Sequence, residues 1–384
     1  MRRIVVVGGS IAALTAAGSL RAEGFDGSLV LLSEEAHPPY SRVPLSKGLR
    51  SGDALRDAVL LPEPGEGVEL RTGARADSLD PARRVVTLAD GAQVPYDGLV
   101  IASGARARRL GGAGELVVRT LDDVELLTAR LAGARSVAVV GAGFLGMELA
   151  STCRGLGLDV TVIDRDPPLA RLLGDWLAAF VVAAARERGV AFRLAPEGVT
   201  PLGPHAVRLG RETGEAGETV QADVVVTAVG DLPNVEWLVG SGLPLDGGVV
   251  ADGRCLVAPG IVAAGDVVAR RTPDGRTRRT PHWTNAVEQG RAAAAALLHG
   301  EAARPYRPDP YFWTEQFGLD IKISGRLPAA GAPEVSAGSV EDRAALLRWR
   351  HADGATAVAV NHRLAVPRLR LLGALAPAEE AGTP

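Results

Sequence analysis

Two short glycine-bearing segments hold the residues best suited to chemistry. Gly8-Gly9-Ser10-Ile11-Ala12-Ala13 follows the apolar run Ile4–Val7 and leads into an Ala/Leu-rich stretch. Gly141-Ala142-Gly143-Phe144-Leu145-Gly146 follows Val137–Val140 and leads into a second such stretch. Each stretch is followed by another apolar run that ends in acid: Leu29–Leu32 before Glu34, and Val160–Ile163 before Asp164. This spacing is the strand–turn–helix–strand fingerprint of dinucleotide binding, present twice. The first glycine permits the turn, the second lets backbone amides reach a pyrophosphate, and the helix start presents unpaired N–H groups to that anion. The closing acid accepts hydrogen bonds from ribose hydroxyls. Gly141, Gly143 and Gly146 match fully, whereas the first copy has Ser10 and Ala13 at the second and third glycine positions. Asp164 repels a 2′-phosphate and accepts from a free 2′-hydroxyl, which favours NADH; Arg165 beside it leaves NADPH open.

The elements around these turns must be large enough to bury strands on both faces. A chain of 384 residues, 47% hydrophobic, supports two or three domains. Its net charge of -3 argues against general nucleic-acid binding, and no apolar run reaches the length of a membrane span. Met1-Arg2-Arg3 precedes an apolar run that Gly8 cuts short, too early for a secretory core, so a cytoplasmic location is expected. Cys153 and Cys255 fit neither a disulfide framework, a metal site nor a Cys-x-x-Cys redox pair, and read as small buried hydrophobes. Of 42 basic residues only Lys47 and Lys322 are lysine, so a lysine here carries more information than usual.

Four further segments complete a pattern. They are Pro39-Tyr40-Ser41-Arg42-Val43-Pro44-Leu45-Ser46-Lys47, Tyr96-Asp97-Gly98-Leu99-Val100-Ile101-Ala102-Ser103-Gly104, Ile261-Val262-Ala263-Ala264-Gly265-Asp266 and Tyr311-Phe312-Trp313-Thr314-Glu315-Gln316. With the two turns, the chain resembles the FAD-dependent pyridine nucleotide-disulfide oxidoreductases over nearly its whole length. Within them it is similar to the oxygenase-coupled ferredoxin reductases of the putidaredoxin reductase type.

The resemblance implies an α/β fold with two Rossmann-like dinucleotide-binding domains, for FAD and NAD, plus a C-terminal α/β interface domain. The implied divisions are residues 1–108 with 236–305 for FAD, 109–235 for NAD(P)H and 306–384 for the interface domain. The run Arg304–Pro310 is the expected connector, Arg348-Trp349-Arg350 and Ala357–Val360 are expected strands, and the Ala/Glu/Gly/Pro tail is expected to be disordered. Implied FAD contacts are Gly8, Ser10, Ala12, Ala13, Glu34, Arg42, Lys47, Ala76, Arg119, Asp266 and Trp283, with Trp313 packing near the flavin edge. Implied nicotinamide-nucleotide contacts are Gly141, Gly143, Leu145, Gly146, Asp164 and Gly230. Lys47 and Glu148 are the implied catalytic pair beside flavin N5: the ammonium stabilises reduced flavin and the carboxylate holds the ammonium. In isolation Glu148 reads as an ordinary helix-face acid. The sequence departs from the family at Pro281-His282, where a glutamate is common two residues before the tryptophan.

The activity implied is that of an NAD(P)H:ferredoxin reductase, passing single electrons to an iron–sulfur ferredoxin that serves an oxygenase. An NADH oxidase, a nitrite-reductase-associated flavoprotein and an NADH-sensing flavoprotein of the apoptosis-inducing-factor type are alternatives. Arg270, Arg271, Arg276, Arg278 and Arg279 are the expected docking cluster for an acidic ferredoxin.

Overall fold

In the computed structural model, the described residues are 1–49, 53–210, 217–272, 275–308, 310–352 and 354–374. The C-terminal tail from residue 375 and Asp309 of the expected connector lie outside them. The chain forms two compact units: one of Met1–Val43, Arg56–Arg106 and Asp231–Asp309, the other of Pro44–Leu55, Ala107–Gly230 and Pro310–Pro384. The fold is of the α/β class expected, built on two parallel sheets. The residues from Pro310 onward, expected as a separate domain, group with the second glycine turn.

In the first unit the parallel strands Ile261–Ala263, Gly98–Ile101, Arg3–Val7, Ser28–Leu32 and Val68–Arg71 lie side by side in that order, with Leu256–Ala258 antiparallel at one edge. Their continuous Val, Ile and Leu runs suit strands covered on both faces. Alternation sends Ile4 and Val6 to one side, against the helices Ile11–Ala22 and Trp283–His299. It sends Val5 and Val7 to the other, against Val86 and Val94 of a small antiparallel sheet. The two helices approach closely because small residues face each other: a Cβ on Gly290 would come within 2.8 Å of the Ala12 carbonyl oxygen.

The second unit repeats the plan. Strands Ala191–Leu194, Asp159–Asp164, Ser136–Val140, Val224–Thr227 and Leu116–Val117 form a five-stranded parallel sheet. The helix Phe144–Gly155 follows its central strand. The C-terminal part is a five-stranded antiparallel sheet in the order Tyr311–Gln316, Leu319–Ser324, Gly354–Val360, Ala344–His351 and Glu334–Ser339, accompanied by the helix Val366–Leu372. Arg348–Arg350 and Ala357–Val360 lie in strands as expected. No helix among the described residues is long and apolar enough to cross a membrane.

Candidate functional site

The Gly8 turn ends the strand Arg3–Val7, and Gly265-Asp266 follows the strand Ile261–Ala263, with Gly98–Ile101 between them in the sheet. The two are adjacent at the strands' carboxyl ends: a Cβ on Gly265 would lie 2.9 Å from the Ala12 Cβ. That edge is where ligands bind in open α/β sheets. Ser10 N-caps the helix Ile11–Ala22, but its hydroxyl donates to the Tyr40 carbonyl at 3.4 Å and makes no capping bond to the helix-start amides. Gln289, buried, accepts from the Gly265 amide at 2.9 Å and fixes the turn carrying Asp266. Trp283 opens the helix Trp283–His299 and is 37% exposed. The neighbouring His282 has its pKa lowered by burial, which the nearby Asp266 opposes.

Of the two acids after Ser28–Leu32, Glu34 is exposed, while Glu35 is engaged. Glu35 accepts from the Tyr40 hydroxyl and from Arg42 at 2.5 Å, and Arg42 also donates to the Tyr40 oxygen at 2.6 Å while lying over its ring. Burial works against the Arg42 charge, but Tyr40 and Glu35 outweigh it and raise its pKa. Glu35 was not anticipated; the doubled acid Glu34-Glu35 is the only sequence signal for it. Ala76 begins the strand Ala76–Asp80, and its backbone pairs with Leu88.

In the second unit, Gly141 has φ +107°, and a Cβ there would come within 2.2 Å of the Ala228 carbonyl oxygen. Gly143 is different. Its φ of −77° suits any residue, and a Cβ would meet only the Leu172 Cδ1 at 3.8 Å. Nothing in the fold requires glycine at 143, so the space above it is a cradle that a close-approaching pyrophosphate fits. The helix Phe144–Gly155, like Ile11–Ala22, lacks a side-chain N-cap bond. The helix Leu121–Leu131 is closed by a full capping box of Thr120 and Asp123, to which the Arg119 amide adds a bond at 3.0 Å. The Asp164 carboxylate accepts from the backbone amides of Ala142 at 2.5 Å and Arg165 at 2.6 Å, which holds it at the glycine turn. Gly230, with φ +101° and open space about its α-carbon, follows the strand Val224–Thr227 that neighbours Ser136–Val140. Leu145 is partly buried in the first turn of the helix.

Also in the second unit, Lys47 Nζ lies 3.8 Å from Glu148 Oε1. Ser46 donates to Glu148 Oε2 at 2.5 Å, and Thr314 donates to Glu148 Oε1 at 2.6 Å. Trp313, one residue before Thr314, stacks on Tyr311 with ring centroids 6.1 Å apart. Ser46 and Thr314 went unnoticed in the sequence, although each adjoins a residue singled out there.

The basic cluster divides by register. Arg270 and Arg278 are paired directly across the hairpin strands Val268–Arg271 and Thr277–Arg279. Arg271, Arg276 and Arg278 are exposed, and Arg270 lies over the Tyr306 ring. Arg279 points the other way, paired with Asp231 at 2.7 Å and donating to the Asp266 carbonyl at 2.9 Å. Its guanidinium is therefore engaged within the fold. Both cysteines are buried, and burial pushes each thiol up to about 12. No cluster of metal-binding side chains occurs among the described residues.

Two glycine turns, each closing a strand of its own parallel sheet and opening a helix, are the framework of a protein that binds two dinucleotides. The sequence model of the pyridine nucleotide-disulphide oxidoreductases matches residues 2–290, and the chain belongs to that family. It is 36% identical to rhodocoxin reductase of Rhodococcus erythropolis over 88% of this chain and 81% of that one. It is 38% identical to the ferredoxin–NAD(+) reductase component of the anthranilate 1,2-dioxygenase system of Burkholderia cepacia, over 84% and 81%. The crystal structure of the covalent putidaredoxin reductase–putidaredoxin complex superposes with a TM-score of 0.81 at 28% identity, covering 94% of this chain and 90% of the other.

Proposed function

We propose that this chain is an FAD-containing, NADH-dependent ferredoxin reductase serving an oxygenase in the cytoplasm. The observation that best supports the reading is the pair of glycine turns, each closing a strand of its own parallel sheet and leading into a helix, with Gly141 at φ +107° packed against Ala228 and Asp164 fixed at the second turn. The first turn, with Ser10, Ala12, Ala13, Glu34, Arg42, Ala76, Asp266 and Trp283, is assigned to FAD, as are Arg119 and Trp313. Glu35 supports this set by holding Arg42. The second turn, with Leu145, Asp164 and Gly230, is assigned to NADH, with NADPH the poorer substrate. The domain division proposed is 1–108 with 236–305 for FAD, 109–235 for NADH and 306–384 for the C-terminal part.

When bound, FAD would supply the redox chemistry: acceptance of a hydride, two electrons with a proton, and release of the two electrons singly to two one-electron acceptors. The chain's residues orient and stabilise. Asp164 selects a ribose with a free 2′-hydroxyl. Lys47 provides positive charge where reduction builds negative charge, and Glu148 holds that lysine by the 3.8 Å ion pair. Single-electron exit requires no dithiol, which agrees with two buried, unpaired cysteines. The exposed Arg271, Arg276 and Arg278, with Arg270, form the face assigned to an acidic iron–sulfur partner.

The test is NADH-dependent cytochrome c reduction with and without an added ferredoxin. Strong ferredoxin dependence is expected. Oxygen consumption without need of ferredoxin would point to an oxidase, and a long-lived reduced complex that barely turns over would point to a sensor.

A further inference from the structure

The helix Phe144–Gly155 carries a polar stripe that the nucleotide turn does not use. Glu148, Ser151 and Thr152 stand at positions i, i+3 and i+4, on one face. Two distant segments attach to that face. Thr152 donates to the Ser46 carbonyl at 2.8 Å, while the Phe317 amide donates to the Ser151 hydroxyl at 2.7 Å. Between these anchors, the hydroxyls of Ser46 and Thr314 each take one oxygen of the Glu148 carboxylate.

The direction of the Thr314 bond is determined by its neighbours. Gln316, 3% exposed, donates from Nε2 to Thr314 Oγ1 at 3.0 Å. Thr314, 1% exposed, therefore spends its hydroxyl proton on Glu148, because a carboxylate has only acceptors to offer. Reversing the Gln316 amide would set an oxygen against that hydroxyl and compete for its proton. The terminal torsion of a glutamate is broad, and one bond would leave it free to rotate; two bonds, one per oxygen, fix it. At 3.8 Å the Lys47 ammonium is held as an ion pair but lies beyond hydrogen-bond distance, so Glu148 does not consume its donors.

We propose that Ser46 and Thr314, with Gln316 behind Thr314, are positioning residues that set the distance between Glu148 and Lys47 for flavin reduction. This deepens the reading given under Proposed function and rests on it. When either hydroxyl is lost, the carboxylate swings onto Lys47, forms a direct bond with it and withdraws its charge from the reacting flavin.

The experiment is anaerobic stopped-flow reduction of the flavin-loaded protein by NADH, with wild type, Ser46→Ala, Thr314→Val and Thr314→Ser. Ser46→Ala and Thr314→Val should lower the limiting reduction rate about tenfold, with half-saturating NADH within about twofold of wild type. The midpoint potential of the bound flavin should become more negative in both. Thr314→Ser, which keeps the hydroxyl, should restore rate and potential. If Thr314→Val fails to take up flavin, Ser46→Ala on its separate segment carries the same test. Wild-type rate and potential in Ser46→Ala and Thr314→Val, with NADH still reducing the wild type, overturn the inference alone. A wild type that NADH does not reduce overturns the functional reading and this inference with it.

Discussion

Replacing Gly143 by alanine separates a glycine kept for the fold from one kept for a ligand. The position N-caps Phe144–Gly155 with φ −77° and ψ −173°, so alanine fits without backbone strain, and the added methyl meets only Leu172 at 3.8 Å. The cost to folding is the poorer N-cap propensity of alanine, at most about 1 kcal/mol, or roughly 2–4 °C in melting temperature for a domain of this kind. The cost to binding is larger. A methyl in the cradle pushes the pyrophosphate off the helix-start amides, and losing one charge-assisted bond of about 1.5–3 kcal/mol weakens affinity roughly 10- to 100-fold. Calorimetric titration with NAD+ alongside thermal melting measures both. Gly141→Ala is the contrast, because φ +107° and a 2.2 Å clash with Ala228 predict damage to the fold itself. An NAD+ affinity within twofold of wild type in Gly143→Ala would mean that no pyrophosphate lies against Gly143.

Charge reversal of Arg270, Arg271 and Arg278 to glutamate should raise the Michaelis constant for ferredoxin about tenfold at low salt and leave NADH–ferricyanide activity intact; an unchanged constant removes the docking assignment. His282 has its pKa lowered below 6.5 by burial. As pH falls through that value the unfolded chain takes up a proton that the folded chain refuses, so stability drops, and the whole penalty is present below the folded pKa. His282→Gln should flatten the fall in melting temperature as pH drops below about 6.5, and an unaltered slope would contradict the assignment. With thiols pushed up to about 12 by burial, native protein treated with iodoacetamide at mildly alkaline pH should stay unlabelled and fully active. Inactivation on labelling Cys153 or Cys255 would reopen a thiol route for electrons.

The nucleotide turns were legible because their chemistry is local: Gly8 and Gly141 each close a strand, and the strand, turn, helix and acid lie within one short stretch. Burial of both faces made the Val/Ile/Leu runs readable as parallel strands without knowledge of their partners. What escaped depends on contacts between distant segments. Glu35 is distinguished from Glu34 only by the fold that brings Tyr40 and Arg42 onto it. Ser46 and Thr314 are ordinary hydroxyl residues until Glu148 joins them. Arg279 looked like one more member of a basic run, but the hairpin alternation that pairs it with Ala269, and Arg278 with Arg270, directs it to Asp231.

The central claim is that one chain holds FAD on its first glycine turn and oxidises NADH on its second. Anaerobic titration of the purified protein with NADH tests it most directly. The purified protein should be yellow, with a visible flavin band bleached by one NADH per flavin and restored by two equivalents of an oxidised one-electron ferredoxin. A colourless protein that takes up no FAD on reconstitution, or a flavin that NADH leaves oxidised, would contradict it.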